Sequence, residues 1–111
     1  EYGGRVRLRA AITSAPMHIR LAVFVTVAKE NREKVVELLT KLTEKSQKEQ
    51  GCIGYQFYLH PTDQTQLYIH EEWESAAHLA AHESTEHFTT LCPQIATMAQ
   101  MKLMKQQVVD M

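Results

Sequence analysis

Two residues whose types and positions could do proton chemistry stand close together in the chain. Glu71 falls on the same side of an alternating run as Leu67, Ile69 and Trp73, where an ordinary core strand would carry an apolar residue. A carboxyl flanked by Ile69 and Trp73 should lose solvation, which favours its protonated form and moves its pKa toward neutrality. His82 follows in a helical stretch, and an imidazole near its ordinary pKa exchanges a proton at physiological pH. His82 is therefore the first candidate for a base, or for a donor to a substrate oxygen, and Glu71 the second. Each also has a plainer reading: a half-buried helix histidine bonded to backbone, and a carboxylate that serves a neighbouring histidine or a helix N-terminus. Trp73, Tyr55, Phe24 and Phe88 could wall a substrate pocket, although aromatic residues of this kind also build ordinary cores.

His78 and His82 lie four apart on one helical face, and His87 follows them. This spacing raises the question of a metal. A third ligand would have to come from elsewhere, and the residues around the histidines are alanines rather than hydrogen-bond acceptors that could orient them. No metal is assigned on this basis; His78 and His87 are expected beside the substrate instead.

The elements that must position these residues can be read from periodicity. His18 to Val27 alternates β-branched and apolar residues with period two, which predicts a strand. Asn31 offers an N-cap, and Val35, Val36, Leu38, Leu39 and Leu42 repeat at helical spacing until Gly51 stops the helix. Cys52 to Leu59, a turn at His60-Pro61-Thr62-Asp63, and Gln66 to Trp73 predict a hairpin. Ser75 can cap a short helix through His82, Thr85 can cap a second, and Pro93 should kink or restart that second segment. Met98 to Val109 is the final strand. The order β-α-β-β-α-β is the ferredoxin-like α+β arrangement, one four-stranded antiparallel sheet with its helices on one face. Ala22, Phe24 and Tyr58 would leave the other face apolar, so a second copy of the sheet is expected to cover it in a homodimer.

A chain of 111 residues has room for one such domain, expected over residues 17–111. Glu1 to Pro16 differs in composition, with Arg5, Arg7 and Arg9 and no sustained period; it is expected to be an expression remnant or upstream extension, a targeting segment being the other reading. A net charge of −1 gives no draw toward nucleic acid or an anionic membrane surface. The most apolar run, Ile19 to Val27, is interrupted by Arg20 and Thr26 and is too short to span a bilayer. Cys52 and Cys92 form neither a CxxC nor a zinc-type cluster, which suits a reducing, cytoplasmic compartment.

Two stretches carry a specific resemblance. Ser46-Gln47-Lys48-Glu49-Gln50-Gly51-Cys52-Ile53-Gly54-Tyr55 and Glu71-Glu72-Trp73-Glu74-Ser75 through Leu79, His82, Ser84, His87 and Phe88 are similar to the helix-end and strand-end patterns of the antibiotic biosynthesis monooxygenase family. The likeness extends over essentially Met17 to Val109 and implies the dimeric α+β barrel. Related members include quinol and polyketide monooxygenases, haem-degrading enzymes and isomerases. Haem degradation is disfavoured, because the first strand lacks the Asn of that branch, His82 stands at its Trp position, and the iron-ligand position falls near Cys92.

The resemblance implies chemistry without a bound cofactor. Ground-state oxygen reacts slowly with closed-shell molecules, but a phenolate, enolate or quinol anion can give it an electron directly. The protein must then supply a dry apolar cavity, a base and a donor for the anion. The leading expectation is oxygenation of a small quinol-like or polyketide-like aromatic, with molecular oxygen as co-substrate and His82 and Glu71 between the sheet and the second helix. Isomerisation of a hydroxy-ketone or phosphorylated metabolite by the same pair, or non-catalytic binding of a small apolar ligand, are the other readings.

Overall fold

The period-two alternation of the first strand builds a sheet with two unlike faces. The computed structural model describes residues 17–109; the segment Glu1 to Pro16 and the last two residues lie outside the described residues. The elements run β1 (Met17–Val27), α1 (Lys29–Ser46), β2 (Cys52–Leu59), β3 (Gln66–Trp73), α2 (Ala76–Glu83), α3 (Glu86–Ala96) and β4 (Ala99–Val109). The strands form one antiparallel sheet in the order β2-β3-β1-β4. This is the ferredoxin-like α+β arrangement, with the second helix of the pattern divided in two.

Strand register decides which residues share a face. Ile19 pairs with Trp73, Leu21 with Glu71 and Val23 with Ile69, so Glu71 stands in the row that meets the helices. Ile19, Leu21, Val23, Val25 and Val27 of β1 are buried against Val35, Leu38, Leu39 and Leu42 of α1, with Leu79 of α2 and Ile95 of α3 in the same core. The intervening residues face outward. Phe24 and Tyr58 are 46% and 48% exposed and flank Tyr68, their ring centroids 5.2 and 6.1 Å from its own. The apolar outer face expected from Ala22, Phe24 and Tyr58 is therefore present.

Three local expectations change. The first helix begins at Lys29, two residues before Asn31, and its N-cap Ala28 offers no side-chain bond. The Asn31 N–H bonds the Ala28 carbonyl at 2.9 Å, so Asn31 lies inside the first turn. The helix also ends at Ser46, and residues 47–51 form turns before β2. Pro93 does not interrupt α3, which runs on to Ala96; Pro93 is exposed, and the single ladder bond it removes is given up without a break. Ser75 and Thr85 cap α2 and α3 as expected, accepting from the His78 and Phe88 N–H groups.

Gly51 holds the α1–β2 connection against the rest. Its φ of +85° lies in the left-handed region, its carbonyl accepts from the Glu74 N–H at 2.8 Å, and the His78 ring occupies the space where a side chain would stand. Gly51→Ala should therefore destabilise the fold by about 1–3 kcal/mol in urea or guanidinium unfolding; an unchanged midpoint would show that this joint adjusts freely.

Candidate functional site

The end of β3, the loop after α1, and the α2–α3 junction bring titratable groups together inside the molecule. Glu71 is 7% exposed because strand alternation turns it inward between Ile69 and Trp73. The Trp73 indole N–H donates to Glu71 Oε1 at 3.0 Å. Burial pushes the Glu71 carboxyl up to about 7; the Trp73 bond opposes that rise, and Glu83 and Glu49 add to it.

His82, on the inner side of α2, is 1% exposed. Its ring stacks at 4.4 Å from Trp73 and 31° from parallel, while Phe88 meets it edge-on at 5.1 Å and Tyr55 lies 5.7 Å away. Burial lowers its pKa below the ordinary value, outweighing the upward pull of a hydrogen bond to Glu49. The ring is thus neutral at pH 7, and its 2.7 Å contact with Glu49 Oε2 is a hydrogen bond from Nδ1–H. That bond fixes the tautomer. Nε2 is left with its lone pair, buried without a hydrogen-bond partner and 3.9 Å from Glu71 Oε1, beyond hydrogen-bond reach.

Glu49 is the member of the cluster that sequence reasoning missed. It follows the end of α1 and was given no role of its own from the sequence, yet its side chain is 12% exposed and the same Oε2 lies 2.6 Å from His87 Nε2. The available signal was its place two residues before the Gly51 stop, within the stretch that carries the family likeness. Glu49, His82 and His87 place one donor atom each within 4.8 Å of one another.

The remaining candidates divide. Trp73 and Tyr55 are buried beside His82, Phe88 half-covers it, and His87 joins through Glu49. Phe24 does not join: as an alternate residue of β1 it lies on the opposite face of the sheet, in a cleft with Tyr58, Leu59, His60 and Pro61. His78 is turned away, its Nδ1 2.8 Å from the Ser75 hydroxyl and its ring over Gly51. The cavity expected between sheet and second helix is closed by rings. Among the described residues, clefts of between about 250 and 450 Å³ indent the surface, and His82, Glu71 and Trp73 do not line these. Cys52 and Cys92 are free thiols, each raised to about 11 chiefly by burial, so neither presents a thiolate at neutral pH.

Residues 18–94 match the model of the family described as antibiotic biosynthesis monooxygenase. The chain belongs to that family. Among solved structures, it is similar to a conserved protein of unknown function from Bacteroides thetaiotaomicron, described as a possible oxidoreductase. Identity there is 44% and the TM-score 0.81, with 84% of this chain and 99% of that one covered. A structure described as an antibiotic biosynthesis monooxygenase is 26% identical with a TM-score of 0.74, over 84% of this chain and 98% of the other. A conserved protein from Methanosarcina mazei is 25% identical with a TM-score of 0.72, over 79% and 91%. No curated protein matches. Among the described residues, no helix is long and apolar enough to cross a membrane.

The raised carboxyl has a thermodynamic consequence. Glu71 takes up its proton near 4.5 in the unfolded chain and near 7 in the fold, so the folded state binds more protons between those values and loses stability as pH rises through them. Glu71→Gln removes this loss. The stability of the variant relative to the parent should grow by on the order of 3 kcal/mol between the two pH values, read from urea unfolding across that range; a difference independent of pH would mean that Glu71 is not desolvated.

Proposed function

We propose that the chain is a cofactor-independent monooxygenase acting on a small quinol-like or polyketide-like aromatic, with His82 as the base. The observation that carries this reading is the His82 imidazole itself: neutral, fixed in one tautomer by Glu49, with a buried and unpartnered Nε2 lone pair facing a carboxyl that titrates near neutrality. A base needs a free lone pair, and a developing oxyanion needs a donor. Burial shifts the two groups in opposite directions, so that at pH just below 7 the imidazole is unprotonated while much of Glu71 carries its proton.

In this mechanism His82 Nε2 removes a proton from an acidic carbon or hydroxyl of the substrate. Protonated Glu71 donates a hydrogen bond to the substrate oxygen on which the charge gathers. The electron-rich anion passes an electron to molecular oxygen, and the two radicals combine. For a substrate CH₂ that becomes a carbonyl, one oxygen atom ends in product and the other leaves as water with both hydrogens, so no outside reductant is needed. Entry to Nε2 requires Phe88, half-buried and edge-on to the imidazole, to swing aside. Trp73 and Tyr55 then remain as the apolar walls.

The family likeness and the possible-oxidoreductase description of the 44%-identical relative support an oxygen-linked reaction over simple ligand storage. With a naphthoquinol or an anthrone in an oxygen electrode, the parent should consume oxygen and His82→Gln should lose roughly 100- to 10,000-fold of the rate. Undiminished uptake in the variant would remove His82 from the chemistry. Proton exchange at a hydroxy-ketone without oxygen uptake would instead point to an isomerase.

The same reading includes a homodimer formed through the outer face of the sheet, where Phe24, Tyr58 and Tyr68 are grouped. Light scattering on eluted protein should give twice the chain mass, and Phe24→Glu should shift it toward the monomer. Monomer mass for the parent at micromolar concentration would remove the dimer.

A further inference from the structure

We propose that Glu49, His82 and His87 form a binding site for a divalent transition ion of the zinc type, reached from the α1–α3 side of the molecule. Three donors of the right kind converge from three segments: a carboxylate after α1, an imidazole in α2 and another in α3. Glu49 Oε2 lies 2.7 Å from His82 Nδ1 and 2.6 Å from His87 Nε2. Two imidazoles and one carboxylate suit zinc and its neighbours rather than magnesium or calcium, which prefer oxygen alone.

Tetrahedral zinc holds such donors about 3.3 Å apart. The carboxylate oxygen therefore has to retreat from each nitrogen by about 0.6–0.7 Å, and the two nitrogens, which lie within 4.8 Å of one another, have to reach the same spacing to admit the ion. Each ring keeps one proton and transfers it to its other nitrogen, leaving the nitrogen that faces Glu49 as a ligand. His87 lines a cleft of about 250 Å³ with Lys41, Lys45, Glu86, Thr90 and Leu91, which gives an ion its approach from solvent.

A second observation points to the same ligand. In the metal-free arrangement His82 Nε2 is buried and unpartnered, 3.9 Å from Glu71 Oε1. Metal at Nδ1 moves the ring proton to Nε2, and a closing of the 3.9 Å gap to Glu71 Oε1 by about 0.9 Å would let that carboxyl accept a hydrogen bond from it. A histidine with a carboxylate behind it is the usual way in which proteins orient a metal-bound imidazole. The ion would thereby relieve the unpartnered nitrogen.

The site stands on its own geometry. Its effect on turnover rests on the function proposed above: with the proton on Nε2, His82 has no lone pair to act as a base, so a bound ion switches that chemistry off.

The test is calorimetric titration of the metal-stripped, tag-free full chain with zinc chloride. One ion per chain should bind saturably. Glu49→Gln and His87→Gln should each weaken binding by roughly tenfold or more, whereas His60→Gln, in the distant hairpin turn, should not. Circular dichroism of the two variants confirms that they fold, and cobalt substitution should give the visible absorption of a tetrahedral ion. Absence of saturable binding, or affinity unchanged in both variants, overturns the site. Oxygen uptake without zinc binding sinks the metal site and leaves the oxygenase reading intact; zinc binding without oxygen uptake does the reverse.

Discussion

An imidazole sealed from water has two nitrogens to satisfy, and in this fold only one of them finds a partner. The Glu49 carboxylate takes the proton-bearing Nδ1 of His82, and that one bond decides the rest: which tautomer is present, where the lone pair points, and which group it meets. The facing group is Glu71, itself held out of water and tied to the Trp73 indole. Each side chain would be costly to bury alone. Together they form a polar thread through an aromatic interior, running from partly buried His87 through Glu49 and His82 to Glu71 on the inner face of the sheet.

Much of the fold was legible because it depends on local rules. Alternation placed Glu71 with Leu67, Ile69 and Trp73, and register with Leu21 and Ile19 confirms that side as the inner one. Ser75 and Thr85 announced two helices through their caps. The first turn of α1 was less readable, since Ala28 serves as its N-cap without any side-chain bond. Pro93 misled for a different reason: at an exposed position a helix tolerates one missing bond.

The site was legible residue by residue and illegible as a constellation. His82 and Glu71 could be singled out because each is the wrong type for its apolar surroundings. Glu49 could not, because a glutamate near a helix end looks like any solvated charge until the chain folds it against histidines from 33 and 38 residues away. The error over Phe24 was avoidable. It is the immediate neighbour of Val23 and Val25, and strict alternation already sends it to the other side of the sheet. The cavity failed as an expectation because side-chain volume is filled by tertiary packing, which periodicity does not encode.

The left-handed turn at Gly51 has a bearing on the buried polar cluster as well as on folding. Glu49 lies two residues before it, and His78, packed onto it, belongs to the same short helix as His82. A single glycine thus clamps together the two segments that supply the carboxylate and the imidazole. Their alignment is set when the chain folds, so the carboxylate and the imidazole are already held in register; in the proposed reaction little reorganisation would remain when charge develops. Mutations at this hinge-free joint would be felt as a drift in proton affinity at His82 even where the global structure survives.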